Sequence, residues 1–411
     1  MLFTFYLAIA VYLISRTSFI KRSGLTPKLI IALFLLKVLA GMAVGWVSQK
    51  FYPGNDYWGL HSLALDEYKL MMSDPHEFFT NIFRSPYKDG YTGFFNSVGS
   101  YWNDLRDNIV IKIMTLCDIF SRSNYYINSL FFDVFGFLGH IALYRVFSDI
   151  YQDKKWPVLI GCFLLPSTLY FSSGMGRDLV VFTVLGLFCY ALHFSLQQKF
   201  TTKRLMVIVF SVIVMLLIRN FVAIAFVPVS IAYILCSKRK VNPLVAFFST
   251  YAVMLLLILV LQVLMPSFQP LKIISQKQSD FLDLPVANSQ LQLNVLEPNL
   301  KSFMINLPQA INHGFLRPYL LEGHGKFALP LAIELLFYEL LFLFIVFKYR
   351  FKLSSGHPFI LFAIFFTVSM FIITGYIIPN TSSIVRYKSI YLPLIITPML
   401  CGFFVSKPKN P

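Results

Sequence analysis

Long apolar runs are the feature that most constrains the fold of this 411-residue chain. A membrane-spanning helix needs about 20 mostly apolar residues, and runs near that length recur along the whole sequence. With one shorter run at the start, they cover roughly 2–15, 29–47, 125–147, 157–174, 178–196, 205–219, 221–236, 243–265, 327–347, 358–378 and 388–405. The sequence therefore predicts an all-α, polytopic integral membrane protein with about eleven transmembrane helices.

Composition supports lipid as the solvent of this chain. Hydrophobic residues make up 57% of the sequence and charged residues 13%, whereas soluble domains carry about a quarter charged residues. The five cysteines form no CxxC pair and lie mostly in apolar runs. We therefore expect small buried side chains and no disulfide framework.

The net charge of +16 is unevenly distributed along the chain. Basic residues concentrate in alternate connections, namely 16–28, 148–156, 197–204, 237–242, 348–357 and the C-terminal tail. By the positive-inside rule these segments are cytoplasmic, which predicts an outside N-terminus and a cytoplasmic C-terminus. Because topology accounts for the basic charge, we expect no nucleic-acid partner.

Two long loops, at about 48–108 and 266–326, fall on the non-cytoplasmic side of this topology. Apolar residues recur at helical spacing within 60–71 and 109–120, which predicts helices that lie on the membrane surface. We expect residues 1–411 to form a single transmembrane domain in which the two loops roof an outer cavity.

Basic residues on the outer side break the positive-inside trend. They are Arg177, Arg219, Arg317, Arg386 and Lys388, all in outer turns or loops. Guanidinium groups match phosphate oxygens in bidentate geometry, so the group as a whole predicts a binding site for an anion such as a lipid diphosphate. The alternative for each residue is a side chain that snorkels to headgroups or pairs with a nearby acid, as Arg177 would with Asp178.

Acidic residues give the candidates for chemistry. Asp56 follows shortly after a predicted span, where a carboxylate can act as a general base or bind a divalent metal; the alternative is an ordinary solvated acid. Glu334 and Glu339 lie within a predicted span, which suggests either a proton relay or pairing with an arginine or hydroxyl of another helix. The sequence has no HExxH or other zinc pattern and gives no evident cofactor.

Four segments carry a resemblance to a known group of proteins. They are Gly54-Asn55-Asp56-Tyr57-Trp58; Leu165-Pro166-Ser167 with the following Ser173–Asp178; Pro308-Gln309-Ala310 with the following Phe315–Pro318; and Gly375 with Pro379-Asn380 and Ile384–Lys388. With this layout the chain resembles the polytopic polysaccharide polymerases of bacterial envelopes, of the Wzy and EpsG types, and the related GT-C glycosyltransferases.

The resemblance implies an enzyme of the cytoplasmic (inner) membrane that takes part in envelope or exopolysaccharide biosynthesis. Its substrate would be a polyprenyl-diphosphate-linked glycan at the outer leaflet, and its partners would include other envelope-polysaccharide assembly proteins. Arg177, Arg219, Arg317 and Arg386, with Lys388, would bind the diphosphate, and Asp56 would be the catalytic acid of the GT-C branch. Two alternatives stay open, a transporter or flippase of a lipid-linked glycan or other anion, and a non-catalytic assembly subunit.

Overall fold

The structure is a computed structural model that describes residues 1–52, 54–87, 89–91, 99–239, 241–264, 269–284, 289–322, 328–349 and 357–403. Across these residues the regular secondary structure is helical, which confirms the all-α prediction. In chain order the α-helices are α1 Leu2–Arg16, α2 Ser18–Lys21, α3 Pro27–Phe51, α4 Asp56–Ser73, α5 Pro75–Thr80, α6 Tyr101–Ser121, α7 Tyr125–Ile150, α8 Lys155–Phe163, α9 Pro166–Phe171, α10 Arg177–Gln197, α11 Thr202–Arg239, α12 Pro243–Leu264, α13 Pro270–Leu282, α14 Leu300–Ile311, α15 Ala328–Tyr349, α16 Pro358–Ile377, α17 Thr381–Ser389 and α18 Leu392–Phe403.

Seven helices in the described part of the chain are long and apolar enough to cross a bilayer. They are Pro27–Phe51, Tyr125–Ile150, Arg177–Gln197, Thr202–Val222, Pro243–Gln262, Ala328–Lys348 and Pro358–Ile377. The pair α17 and α18 is bent by 65° and makes an eighth if it forms one broken span. The chain is therefore a multi-pass membrane protein, with seven or eight candidate spans where the sequence predicts eleven.

The differences in span number arise at breaks in the helices. The predicted span 157–174 is two short helices, α8 and α9, because Pro166 lacks an N–H and disfavours helical backbone at Leu165. The predicted spans 205–219 and 221–236 both lie in α11, but the backbone is non-helical at Arg219 (φ −146°, ψ 80°), so a kink divides α11 into two helices there. The candidate span in this region is Thr202–Val222. At 15 residues, α1 is a shorter apolar helix.

The chain divides into two compact units, which we describe separately. Unit 1 comprises Met1–Arg145, Leu169–Cys189 and Val207–Asn220. Unit 2 comprises Val146–Thr168, Tyr190–Met206 and Phe221–Pro411.

In unit 1, the helices predicted within 60–71 and 109–120, in the first long loop and directly after it, are present as α4 and α6, and they pack against each other. The Thr115 hydroxyl donates to the Ala64 carbonyl at 3.1 Å, which joins α6 to α4. The Trp58 indole N–H donates to the Gly45 carbonyl at 2.9 Å, which joins α4 to α3. The first loop is therefore a folded helical layer with its own contacts to a span.

In unit 2, the second long loop is also folded, since α13 and α14 pack against α16. The Gln278 side-chain amide donates to the Tyr376 carbonyl at 2.8 Å, and the Tyr376 hydroxyl donates to the Phe303 carbonyl at 2.6 Å. A side chain at Gly375 would collide with the Ala310 carbonyl, so glycine allows the close approach of α14 and α16. These contacts fix the loop on the C-terminal end of α16.

The five cysteines agree with their predicted role. All are free thiols, and Cys162, Cys189, Cys236 and Cys401 are buried while Cys117 is half-buried.

Candidate functional site

The turn before α10 in unit 1 is held by a buried ion pair. Lys37 on α3 and Asp133 on α7 lie 3.8 Å apart and are 1% and 0% exposed. The Lys37 ammonium donates to the Ser172 carbonyl and, at 3.2 Å, to the Ser173 hydroxyl. The Gly174 N–H donates to Asp133 Oδ1 at 3.0 Å, and its φ of +78° is one that glycine adopts without strain. The pair therefore fixes the backbone that leads into α10.

Sequence reasoning about the site missed Lys37 and Asp133. The imidazole of His140 lies beside this pair, with its Nε2 atom 3.4 Å from Lys37 Nζ and 3.0 Å from the Ser172 hydroxyl. A charged side chain within a span costs roughly 2.5–3.5 kcal/mol on insertion scales. In the sequence, this pair is indicated by a lysine inside the apolar run 29–47 and an aspartate inside the apolar run 125–147.

Arg177 and Arg219 are both paired with acids of unit 1. Arg177 Nη2 lies 3.1 Å from Asp107 Oδ1, with side chains 23% and 36% exposed. Arg219, at the break in α11, pairs with Asp178 in a contact whose side chains are 7% and 0% exposed. Asp178 therefore pairs with Arg219, and Arg177 pairs with Asp107 of α6. Of the two arginines, Arg177 is the more accessible.

Asp56 begins α4 and is exposed. The Asn55 side chain caps this helix by accepting from the N–H groups of Tyr57 and Trp58 at 3.0 and 3.1 Å. Tyr57 packs against Gly176, the residue before Arg177. The backbone at Asp56 therefore lies near the turn that carries Arg177, while the catalytic role of Asp56 stays a prediction.

The remaining three predicted cations belong to unit 2. The Lys388 ammonium donates to the carbonyls of Phe315 and Arg317, each at 3.0 Å, and Lys388 is 2% exposed. Arg317 pairs with Glu322. Arg386 is half-buried on the same helix as Lys388. The structure therefore brings the Lys388 ammonium into contact with the backbone of Arg317, whose own side chain faces Glu322.

The segment that carries Arg317 packs beside α16. Residues Asn312–Leu316 form one π-helical turn, and a side chain at Gly314 would collide with the carbonyl of Phe371. Phe371 precedes the end of α16 by six residues, or roughly 9 Å at 1.5 Å per residue. This part of the second loop therefore lies beside the body of a span and not beyond its end.

His313 is buried in this segment. Burial and the neighbouring positive charge of Arg317 lower the pKa of the His313 imidazole to about 4. The neutral imidazole is therefore the form that the folded segment accommodates at neutral pH.

Glu334 on α15 binds the start of α9, next to the break between α8 and α9. It accepts hydrogen bonds from the Ser167 N–H and hydroxyl, each at 3.0 Å, and from the Tyr338 hydroxyl at 2.6 Å. This confirms pairing with a hydroxyl of another helix, one of the two alternatives for this residue. The Thr168 hydroxyl, one residue after Ser167, donates to the Ser389 carbonyl at 2.6 Å. This bond joins α9 to the end of α17.

Glu339 has different surroundings from Glu334. It lines a cavity of about 310 Å³ together with Leu316, Pro318, Tyr319, Leu320, Leu321, Ala332 and Leu336. Its Oε1 atom is buried and has no hydrogen-bond partner among the residues that the structure describes. Electrostatic attraction links Glu339 to Lys388. Lys388 itself lines a second pocket of about 20 Å³ beside Glu334 and Tyr338, which has room for a single water molecule.

In the described part of the chain, no three His, Cys, Asp or Glu side chains lie where they could hold a metal ion together. Fold and site define a multi-pass helical membrane protein with charged residues buried among its spans and at their breaks. Comparison of the chain with models of protein families, with curated proteins and with solved structures finds no match in any of the three.

Proposed function

We propose that this protein transfers glycosyl units from a polyprenyl-diphosphate-linked sugar or repeat unit at the outer face of the cytoplasmic membrane, in the synthesis of an envelope or secreted polysaccharide. One observation carries the proposal. Unit 2 places a largely apolar cavity, a carboxylate and the cations Arg317 and Lys388 around one short segment, 315–321. A substrate with a prenyl chain, a diphosphate and a sugar requires these three kinds of surface together.

Electrostatics gives the cations of unit 2 a catalytic role. The reaction breaks the bond between the anomeric carbon and the diphosphate, so negative charge develops on the leaving group. Cations fixed at that position stabilise the transition state more than the ground state. Arg317 is held by Glu322 in the resting protein, and a diphosphate, with more negative charge than one carboxylate and a bidentate geometry, can displace that partner.

In unit 1, Arg177 is the stronger candidate for a phosphate ligand. Its side chain is partly exposed and its partner Asp107 is more exposed still, whereas Arg219 is buried against Asp178. Under this proposal Arg219 and Asp178 hold the start of α10, and Arg177 contacts the substrate. Asp56, exposed at the start of α4, is the acid proposed for a GT-C-like reaction.

A gene deletion tests the proposal most simply. The lipid-linked glycans of the deletion strain are separated on gels and identified by mass spectrometry. We expect single lipid-linked repeat units to accumulate and long polymer to disappear. Accumulation of a unit that lacks one sugar would instead define a single-sugar transferase and make Asp56 the first candidate for its catalytic acid. An unchanged profile would contradict the proposal.

Complementation of the deletion strain connects the phenotype to the site. Lys388→Met and Arg317→Gln should fail to restore polymer at normal protein levels. Lys301→Gln, which alters an exposed basic residue of the same loop, should restore it. Failure of Lys301→Gln as well would mean that any change of charge in this loop disrupts the protein.

A transporter or flippase of a lipid-linked glycan is the second candidate. The observation in its favour is the bent pair α17 and α18 in unit 2, where the Ser389 carbonyl at the end of α17 accepts a hydrogen bond from the Thr168 hydroxyl. Discontinuous helices form the substrate sites of many transporters. Movement of a lipid-linked glycan across vesicles of purified protein, without formation of a glycosidic bond, would favour this function over transfer.

A further inference from the structure

We infer that Glu339 is the general base that activates the acceptor hydroxyl, and that the cavity beside it receives the hydroxyl-bearing end of a lipid-linked acceptor glycan. This inference rests on the proposed glycosyl transfer and adds to it a catalytic residue and the location of one substrate. From the sequence alone, Glu339 is a candidate for a proton relay or for pairing with another helix, and not for substrate binding.

The cavity has the shape and lining that a lipid-linked acceptor needs. One wall comes from the loop segment 316–321 and the other from α15. Leu316, Leu320 and Leu321 are exposed, with Leu321 at 99%, so the cavity opens along an apolar surface on which a prenyl chain can lie. A volume of about 310 Å³ is at the lower end of the range for small-molecule sites, roughly 300–1,000 Å³. It therefore accommodates one terminal sugar better than an entire repeat unit.

Among the described residues that line this cavity, Glu339 is the one carboxylate. Glu334, on the same helix, already accepts three hydrogen bonds from Ser167 and Tyr338. The Oε1 atom of Glu339 is buried without such a donor in the described part of the chain. A buried acceptor without a partner costs free energy, so binding of a ligand hydroxyl as the donor to Glu339 would be favourable. At Glu334 the protein's own donors already occupy the carboxylate.

The charge next to Glu339 suits the same reaction. Lys388 attracts Glu339 electrostatically and donates to the Arg317 carbonyl. The proposed base and Lys388, one of the cations proposed for the leaving group, thus form one cluster, and Lys388 also contacts the backbone of Arg317. A general base must reach the hydroxyl proton while the leaving group is stabilised elsewhere on the reacting carbon, and this cluster provides both groups.

The reaction balances without a further reactant. The acceptor hydroxyl oxygen forms a bond to the anomeric carbon of the donor while its proton passes to the Glu339 carboxylate. The bond between that carbon and the diphosphate oxygen breaks, and the diphosphate leaves with the electron pair. Glu339 then returns its proton to water or to the released diphosphate.

A hydrophobic carbodiimide provides a direct probe of Glu339. Dicyclohexylcarbodiimide reacts with carboxyl groups in apolar surroundings, and peptide mass spectrometry locates the adduct. In full-length protein in lipid nanodiscs, we expect an adduct at Glu339, little or none at Glu334, and protection of Glu339 by lipid-linked glycan extracted from the deletion strain. Equal labelling of both residues, or no protection at Glu339, would overturn the assignment of the cavity.

Substitution of Glu339 tests its catalytic role separately. Glu339→Gln should reduce the turnover of the extracted lipid-linked glycan by about 10²–10⁴-fold, while the variant in nanodiscs still binds that glycan. The fall in rate on the acid side of the pH–rate profile should weaken or disappear in Glu339→Gln, because the base that must be deprotonated is gone. Glu339→Asp should restore part of the rate. Glu297→Gln, an exposed acid of the second loop, serves as the control and should match the wild type.

The two levels of the proposal fail in different ways. Wild-type protein that forms no glycosidic bond would overturn the proposed function, and the inference with it. Wild-type protein that forms the bond, together with a Glu339→Gln variant within about twofold of it, would overturn only the assignment of the base. In that case Asp56→Asn is the next variant to compare.

Discussion

Each unit of this protein buries a lysine near an acid, yet the two surroundings differ. In unit 1, Lys37 and Asp133 are almost fully buried and bond to the turn before α10. In unit 2, Lys388 is equally buried, but the acid it attracts, Glu339, borders a cavity of about 310 Å³. A buried charge is therefore not a binding site by itself. Space beside the charge decides whether it stabilises the fold or can meet a ligand.

The largest expected effect is on the unit 1 pair. Lys37→Met leaves the buried Asp133 without its cation, and removal of one partner of a buried ion pair costs about 3–5 kcal/mol. We expect a large drop in the temperature at which the detergent-solubilised protein loses its monodisperse peak on size exclusion. The double variant Lys37→Met/Asp133→Leu should recover only part of that loss, because the Ser172 carbonyl and the Gly174 N–H also lose their partners. A double variant as stable as the wild type would contradict the role of the pair in fixing the turn before α10.

The second effect separates the two arginines of unit 1. Arg219→Leu removes the partner of fully buried Asp178 and should destabilise the protein nearly as much as Lys37→Met. Arg177→Gln removes a partly exposed pair, which is worth about 1 kcal/mol or less. Thermal unfolding and polymer synthesis are measured for both variants. We expect Arg177→Gln to remain folded and lose polymer; a folded variant with normal polymer would contradict a substrate role for Arg177.

The third effect depends on pH and compares buried histidines of the two units. The His313 pKa is lowered to about 4 by burial and by Arg317. The pKa of His61 is also lowered by burial, but Asp118 opposes the shift. Because an unfolded histidine titrates near 6.5, the unfolded state binds protons first on acidification. The His313 contribution is therefore complete above about pH 6.5 and is lost progressively as the pH falls toward about 4.

Substitutions measure the two histidine contributions. Unfolding temperatures of the wild type, His313→Gln and His61→Gln are compared between pH 7 and pH 4. The loss of stability on acidification should shrink more in His313→Gln than in His61→Gln. An equal or smaller change in His313→Gln would contradict the influence assigned to Arg317.

The smallest effects lie on the surface of unit 1. Lys112 pairs with Glu67 at 3.1 Å and joins α6 to α4 with both side chains largely buried. Lys69 pairs with Asp66 on a single helix, and these side chains are 76% and 68% exposed. Exposed pairs contribute about 0–1 kcal/mol, so Lys69→Ala should leave the unfolding temperature unchanged and Lys112→Ala should lower it slightly. Equal effects would mean that the Lys112 contact does not join the two helices in solution.

The sequence predicts the helical membrane fold because apolar length is a local property. The helices α4 and α6 also follow from the spacing of their apolar residues. The span number does not follow, since Pro166 divides one apolar run into two short helices and a kink at Arg219 divides α11. Whether a break separates two spans or bends one is decided by tertiary contacts that a run of apolar residues does not encode.

The candidate site is predictable only in part for the same reason. Arg317 and Lys388 stand out in the sequence as basic residues outside the loops predicted to be cytoplasmic, and the structure brings the Lys388 ammonium into contact with the Arg317 carbonyl. The partners of the cations lie far away in sequence, as with Asp107 for Arg177 and Asp178 for Arg219. The different surroundings of Glu334 and Glu339, which occupy one helix, likewise depend on Ser167 and on the loop segment near Pro318.

Reconstitution tests the central claim most directly. Purified protein in nanodiscs is incubated with lipid-linked glycan extracted from the deletion strain, and the products are analysed by mass spectrometry. The account predicts lengthened glycan together with released polyprenyl diphosphate for the wild type, and neither product for Arg317→Gln. Unchanged glycan with the wild type, or equal products from wild type and Arg317→Gln, would contradict glycosyl transfer at the unit 2 cavity.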